Sequence, residues 1–258
     1  MPQYILDCVE IGPRRSPPPP STEPLYRARY DLARNPVNFN FLEFLVGATT
    51  RGATEIYLDL SRGFTKKYTA EDSETRLFNI VLPACQLTDV SVSFGSHGHD
   101  HPYHISATIN AFKEMGFIKK LKSPLGKRDV KYTVTLRDYT RSEQRNSNRD
   151  AWEKFASDIG AMVIDDWYKT PISLHERMAL YSGAEMNFHV NGGPVNLCFY
   201  SDAPFLGFMK MASLLYHEHH GFPAGSQLPW LNSRQRFVWK MDTYDNIRRA
   251  WDEMQEAA

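Results

Sequence analysis

From Tyr26 onward the apolar residues switch repeatedly between two periods, and each switch marks a new element. Residues 26–31 read as a strand. Phe41, Phe44, Leu45 and Ala48 then fall at i, i+3, i+4 and i+7, one face of a helix, with Asn40 and Glu43 spaced as a capping box and Gly52 closing the helix. Residues 55–60 read as a buried strand, and Thr69 with Asp72 opens a second helix carrying Leu77, Ile80 and Val81 on one face. Residues 90–94 give a third strand, and Ile105, Ile109 and Phe112 mark a third helix ending at Gly116. This βαβαβα rhythm predicts a parallel sheet covered on both faces.

Residues 119–131 are basic and contain Pro124 and Gly126, the composition of a linker. The rhythm then restarts. Residues 132–136 form a strand; Ser147 with Asp150 caps a helix whose Trp152, Phe155, Ala156 and Ile159 make one stripe, stopped by Gly160. Residues 162–164 are the next strand, Ser173 and Glu176 form a second capping box, Gly183 ends a short helix, and residues 185–190 return as a strand. Residues 205–209 complete the sheet. Residues 216–240 are aromatic and loop-rich, before a last helix with Ile247, Ala250, Trp251 and Met254 on one face. The expected fold class is α/β, with two Rossmann-like lobes of parallel sheet. The expected division is 1–25 as a Pro-rich arm, 26–125 as a first, acceptor-side lobe and 126–258 as a ligand-binding lobe. The arm contains Pro17, Pro18, Pro19 and Pro20, which favour extended polyproline conformation.

Composition changes this picture only by exclusion. Lys+Arg 30 balance Asp+Glu 30, so no global field holds nucleic acid or an anionic membrane, and any phosphate recognition must be local. The three cysteines, Cys8, Cys85 and Cys198, leave one unpaired in any disulfide scheme, which fits a reducing cytoplasm. No basic leader with an apolar run and no stretch of ~20 apolar residues is present. A cytoplasmic protein is expected, with peripheral membrane contact left open.

Two constellations could hold an anion. Asn191, Gly192, Gly193 and Pro194 follow a strand: glycines let backbone approach a ligand, and Pro194 suits a first helical position, leaving amides for an anion. A plain tight turn explains the same residues. Arg137 ends a strand at the sheet edge where open α/β folds bind ligands, and Arg145, Asn146 and Asn148 stand at the start of the next helix. A solvated arginine loop is the alternative there. His189 lies beside the Gly-Gly-Pro turn, where it could touch a base or ribose or be satisfied within the core. Trp230 and Trp239 could offer sugar-stacking surface, whereas Trp251 reads as core.

The run VTLRDYTRSEQRNSNRDAWEKFA, followed by ISLHERMALYSGAEMNFHVNGGPVNLCFYSDAPFLGF, resembles the nucleotide-sugar half of GT-B glycosyltransferases, particularly those of bacterial surface-polysaccharide gene sets. The resemblance covers about a third of the chain. It implies a glycosyltransferase of polysaccharide biosynthesis, with a nucleotide-sugar donor and a glycan or other hydroxyl acceptor. It also implies that Arg137, Asn191, Gly192, Gly193 and Pro194 surround the donor diphosphate. No Asp-x-Asp occurs in the chain, which argues for a metal-independent site in which Arg and backbone amides stabilise the diphosphate.

His97, His99, Asp100, His101 and His104 crowd a loop after the third strand. They could form a divalent-metal site of a hydrolase, an acid/base cluster or merely a polar loop. For the general base of a sugar transfer the sequence offers His97 or Asp100, with Asp59 as the alternative, each at a strand's carboxyl end. A non-catalytic nucleotide-sugar-binding protein is the remaining alternative.

Overall fold

A computed structural model describes residues 26–96, 98–100, 105–165, 172–210 and 222–256. The Pro-rich arm, His97, His101 and His104 lie outside them. The first half builds a four-stranded sheet from β1 (Arg27–Asp31), β2 (Glu55–Asp59), β3 (Ser91–Phe94) and β4 (His99–Asp100). All pairings are parallel, in the order β3-β2-β1-β4. Helices α1 (Phe41–Thr50) and α4 (Ile105–Met115) pack together, and Thr108 Oγ1 donates to the Glu43 carbonyl at 2.9 Å. Gly52 ends α1 with a φ of 92°, a left-handed turn that favours glycine.

Between β2 and β3, α2 (Ala70–Arg76) begins at Thr69, whose side chain accepts the Asp72 N–H as the sequence predicts. The helix then widens into a π segment (Leu77–Val81) before α3 (Leu82–Cys85). Pro83 explains the widening. It has no N–H to donate, and its ring crowds the carbonyl four residues back. Leu82 N–H instead bonds five residues back, to the Leu77 carbonyl.

The second half is a five-stranded parallel sheet of β5 (Tyr132–Thr135), β6 (Met162–Ile164), β7 (Met186–Val190), β8 (Phe205–Phe208) and β9 (Gln235–Val238). Its order is β6-β5-β7-β8-β9. The sequence pattern ends this sheet at β8; β9 is an addition. Its Gln235 side chain donates to the carbonyls of Cys198, Ser201 and Ala203 at 3.1, 2.9 and 3.0 Å, fastening the edge strand to the loop before β8. Side chains alternate along β8: Leu206 and Phe208 enter one core with Trp152, Phe188 and Trp251, from beneath α5 (Arg149–Ile159) and α8 (Tyr244–Glu256). Phe205 points the other way, into a second core.

That second core belongs to both halves. It contains Phe41, Leu45 and Ile80 from the first and Tyr181, Leu197, Phe205 and Trp230 from the second. The segment predicted as a linker is pinned along its length. Lys119 N–H donates to Thr50 Oγ1, Leu121 N–H to the Tyr200 carbonyl, Lys122 N–H to Leu87 and Arg128 N–H to Ala179. A Cβ at Gly183, the end of α6 (Leu174–Gly183), would run into the Arg128 carbonyl. Gly183 is therefore required by the close passage of the linker.

Two caps differ from expectation. Ser173 and Glu176 form the predicted box on α6, but Asn40 has helical dihedrals and makes no side-chain cap bond. Asn38 starts that turn instead, its Oδ1 accepting the Asn40 N–H at 2.9 Å. Asn148, not Ser147, caps α5. At the carboxyl ends of β8 and β9, Lys210 pairs with the buried Asp242 at 2.9 Å. Asp242 also accepts the Asn148 N–H at 2.7 Å and the Trp152 indole N–H at 2.9 Å. Among the described residues no helix is long and apolar enough to cross a membrane.

Candidate functional site

The second sheet reverses direction of growth between β5 and β7, so the loops leaving these neighbours depart to opposite faces and open a crevice at their carboxyl ends. Arg137 stands on one side of it. Its N–H donates to Ser147 Oγ at 2.8 Å and its carbonyl accepts the Ser147 N–H at 2.9 Å, fixing where the side chain begins. The guanidinium lies over the Tyr139 ring, 5.5 Å from its centroid. Gly192 stands on the other side, where a Cβ would sit 3.5 Å from Arg137 Nη1.

The first half closes the crevice. A Cβ on Gly193 would come within 2.5 Å of Phe39 Cδ2, so the glycine allows the β7 loop to lie against the loop between β1 and α1. The cavity between them measures about 380 Å³. Lys67 and Arg76 line it from the first half, Arg137 and Arg145 from the second. Arg76 is buried, its Nε 3.0 Å from Asp72 Oδ1 and its guanidinium 4.2 Å from the Tyr68 ring centroid. Asn38, Tyr68, Tyr139 and Asn191 add polar edges. Such a wall of cations suits a phosphorylated ligand of small-molecule size.

One acid shares the cavity. Glu43 projects from α1, all ten of whose residues are buried. It is 7% exposed; one carboxyl oxygen accepts the Ile105 N–H and Oε2 has no partner among the described residues. Burial pushes its carboxyl well above the usual carboxylate range, with the Ile105 N–H opposing.

Six of the residues singled out in the sequence thus meet: Arg137, Arg145, Asn191, Gly192, Gly193 and Pro194 all line the cavity. The helix reading of the Gly-Gly-Pro junction needs correction. Helix α7 (Asn196–Phe199) is four residues long and begins beyond Pro194, so no extended helix dipole faces the cleft. Asn146 and Asn148 serve the scaffold: Asn146 Oδ1 accepts the Tyr139 N–H at 2.9 Å, and Asn148 caps α5. His189 points away, between Phe199 and Phe205 at ring distances of 5.6 and 5.4 Å. Burial pushes the imidazole down to about 3, opposed by a backbone hydrogen bond at Val190. Trp230 and Trp239 donate their indole N–H groups to the carbonyls of Phe199 and Ser226, which holds both rings within the fold.

The acids offered as bases take part in an ion-pair group on the first sheet, and neither lines the cavity. Asp59 accepts Ser61 Oγ at 2.6 Å and lies 3.6 Å from Arg29; Asp100 is held by Arg29 at 2.7 Å. Hydrogen bonds, to Ser61 for Asp59 and to Arg29 for Asp100, keep both carboxyls below their ordinary range. His97 and His101 lie outside the described residues, as does the His99 side chain, so the proposed metal cluster does too.

The sequence reading gives Glu43 a capping role and passes over Lys67, Tyr68 and Arg76. Glu43 carries a signal: a lone acid between Leu42 and Phe44 in an otherwise uncharged helix. The capping spacing offers that acid a simpler role, and Lys67 and Arg76 carry no comparable mark. No family model, curated protein or solved structure matches this chain, which leaves the geometry of the cleft as the ground for its function.

Proposed function

We propose that the cleft binds a nucleoside-diphosphate sugar and that the protein is a glycosyltransferase of two-lobed, GT-B-like plan, moving the sugar to an acceptor hydroxyl with no metal required. One observation carries the reading: Lys67, Arg76, Arg137 and Arg145 converge on a cavity at the switch point of the second sheet. A diphosphate places paired oxygens where a guanidinium can fork them, and charge developing on the leaving group strengthens those bonds in the transition state. Two sheets that each present carboxyl ends to one cleft supply separate walls for donor and acceptor. The resemblance of the Arg137 and Gly193 segments to nucleotide-sugar lobes supports the same class of ligand.

Calorimetric titration with UDP, GDP and their sugars tests this. Replacing Arg137 by Ala removes charge-assisted bonds worth about 1.5–3 kcal/mol, an expected loss of roughly 10–100-fold in affinity. Unchanged affinity for every nucleoside diphosphate would refute the assignment.

A further inference from the structure

Arg137 and Arg145 line the cavity from the second half; Lys67, Arg76 and Glu43 line it from the first, and among the described residues Glu43 Oε2 has no partner while its other oxygen accepts the Ile105 N–H. A buried carboxyl oxygen left without a partner among the described residues is costly to keep unless something meets it there. A transferred sugar bound by its diphosphate to the arginines would place its acceptor between itself and α1. We infer that Glu43 is the general base of the reaction, taking the proton from the acceptor hydroxyl on the opposite wall from the arginines that hold the leaving diphosphate.

The inference rests on the proposed glycosyl transfer. The acceptor oxygen forms a bond to the anomeric carbon as the bond from that carbon to the phosphate oxygen breaks. The electron pair leaves on the diphosphate, where Arg137 and Arg145 meet its charge. The acceptor proton passes to the Glu43 carboxylate. Base and leaving group on opposite walls make this an in-line displacement, so the anomeric centre inverts. Asp59 and Asp100 are less suited, since their hydrogen bonds stabilise the ionised form and weaken it as a base. Burial does the reverse for Glu43. Among the described residues, the charged and titratable groups sharing its cavity are Lys67, Tyr68 and Arg76 from the first half and Tyr139, Arg137 and Arg145 from the second. Ile105 and Thr108, which approach it from α4, carry none.

Donor hydrolysis, with water as the smallest acceptor, tests the role in the full chain. A panel of UDP- and GDP-sugars is followed by nucleoside diphosphate release across pH, by calorimetric affinity and by NMR of the product anomer. The wild-type rate should climb with pH as Glu43 ionises, and the product should be inverted. Glu43→Gln should lose about 100-fold or more in kcat and the pH-dependent rise, while nucleoside diphosphate affinity stays within about twofold. Glu43→Asp should restore part of the rate together with the rise. A Gln variant that binds donor and keeps both rate and rise, or a retained anomer, overturns the inference. So does a wild-type protein that binds donors and turns none over, a result that leaves the binding site itself standing. A wild-type protein that binds no nucleotide sugar defeats both readings.

Discussion

His189 and Glu43 are both buried, and they couple stability to pH with opposite signs. The imidazole, lowered from 6.5 to about 3, refuses in the folded protein a proton that the unfolded chain accepts. Its contribution to stability is complete above pH 6.5 and is lost as pH falls toward 3. Replacing His189 with Leu should remove about one proton's slope from melting temperature against pH in that window, read by thermal denaturation in a buffer series. Glu43 has a raised carboxyl, so its neutral form favours the fold, and stability falls as pH rises above the ordinary 4.5. The Glu43→Gln variant should melt higher than wild type at neutral pH and lose that decline. A variant that is more stable and yet inactive fits a group held at a cost for chemistry. At this scale the strand-end Arg137 is legible in sequence because its place follows from the end of an apolar run. The role of Glu43 is not, because choosing between a backbone N–H and a cavity is settled by chain more than sixty residues away, at Ile105.

Among the elements, the junction after β7 has the least room to change. A Cβ at Gly193 would press on the Phe39 ring at 2.5 Å, so Gly193→Ala should destabilise the protein by about 1–3 kcal/mol, measured by urea unfolding. It should weaken nucleotide binding as well, since the displaced loop carries Asn191 and Gly192 into the cleft wall. Phe39→Leu, which shortens the obstructing side chain, should recover part of both losses. The helices and central strands are readable from periodicity, since their cores impose one spacing on many residues. Caps are less so: Ser173 and Glu176 close a box while Asn40 and Glu43, at the same spacing, do not. Edge strand β9 escapes because the Gln235 and Gln227 side chains that fasten it beside β8 are contacts with no periodic signature.

At the scale of the molecule, the two sheets share a core and a pinned connection. Cooperative units follow buried contact more than sheet membership, so calorimetry should give one unfolding transition whose van't Hoff and calorimetric enthalpies agree. Two resolved transitions would show that Phe41, Leu45 and Trp230 do not couple the halves. Alternation of strand and helix makes the parallel strands of both sheets foreseeable. What alternation lacks is strand order. The reversal between β5 and β7, which creates the crevice, arises from the face on which each crossover packs, and that choice is written in no single segment.

The bond between the Trp152 indole and Asp242 belongs to a lopsided distribution, for all five tryptophans follow position 151. Intrinsic fluorescence therefore reports the second half, and the first has no tryptophan emitter of its own. Trp230 is the exception in reach: it stacks on Tyr200 and lies 6.0 Å from Phe112 of α4 across the shared core. Trp230→Phe would leave the shared core without a buried tryptophan among the described residues, so that the remaining tryptophan emission would come from the second half alone.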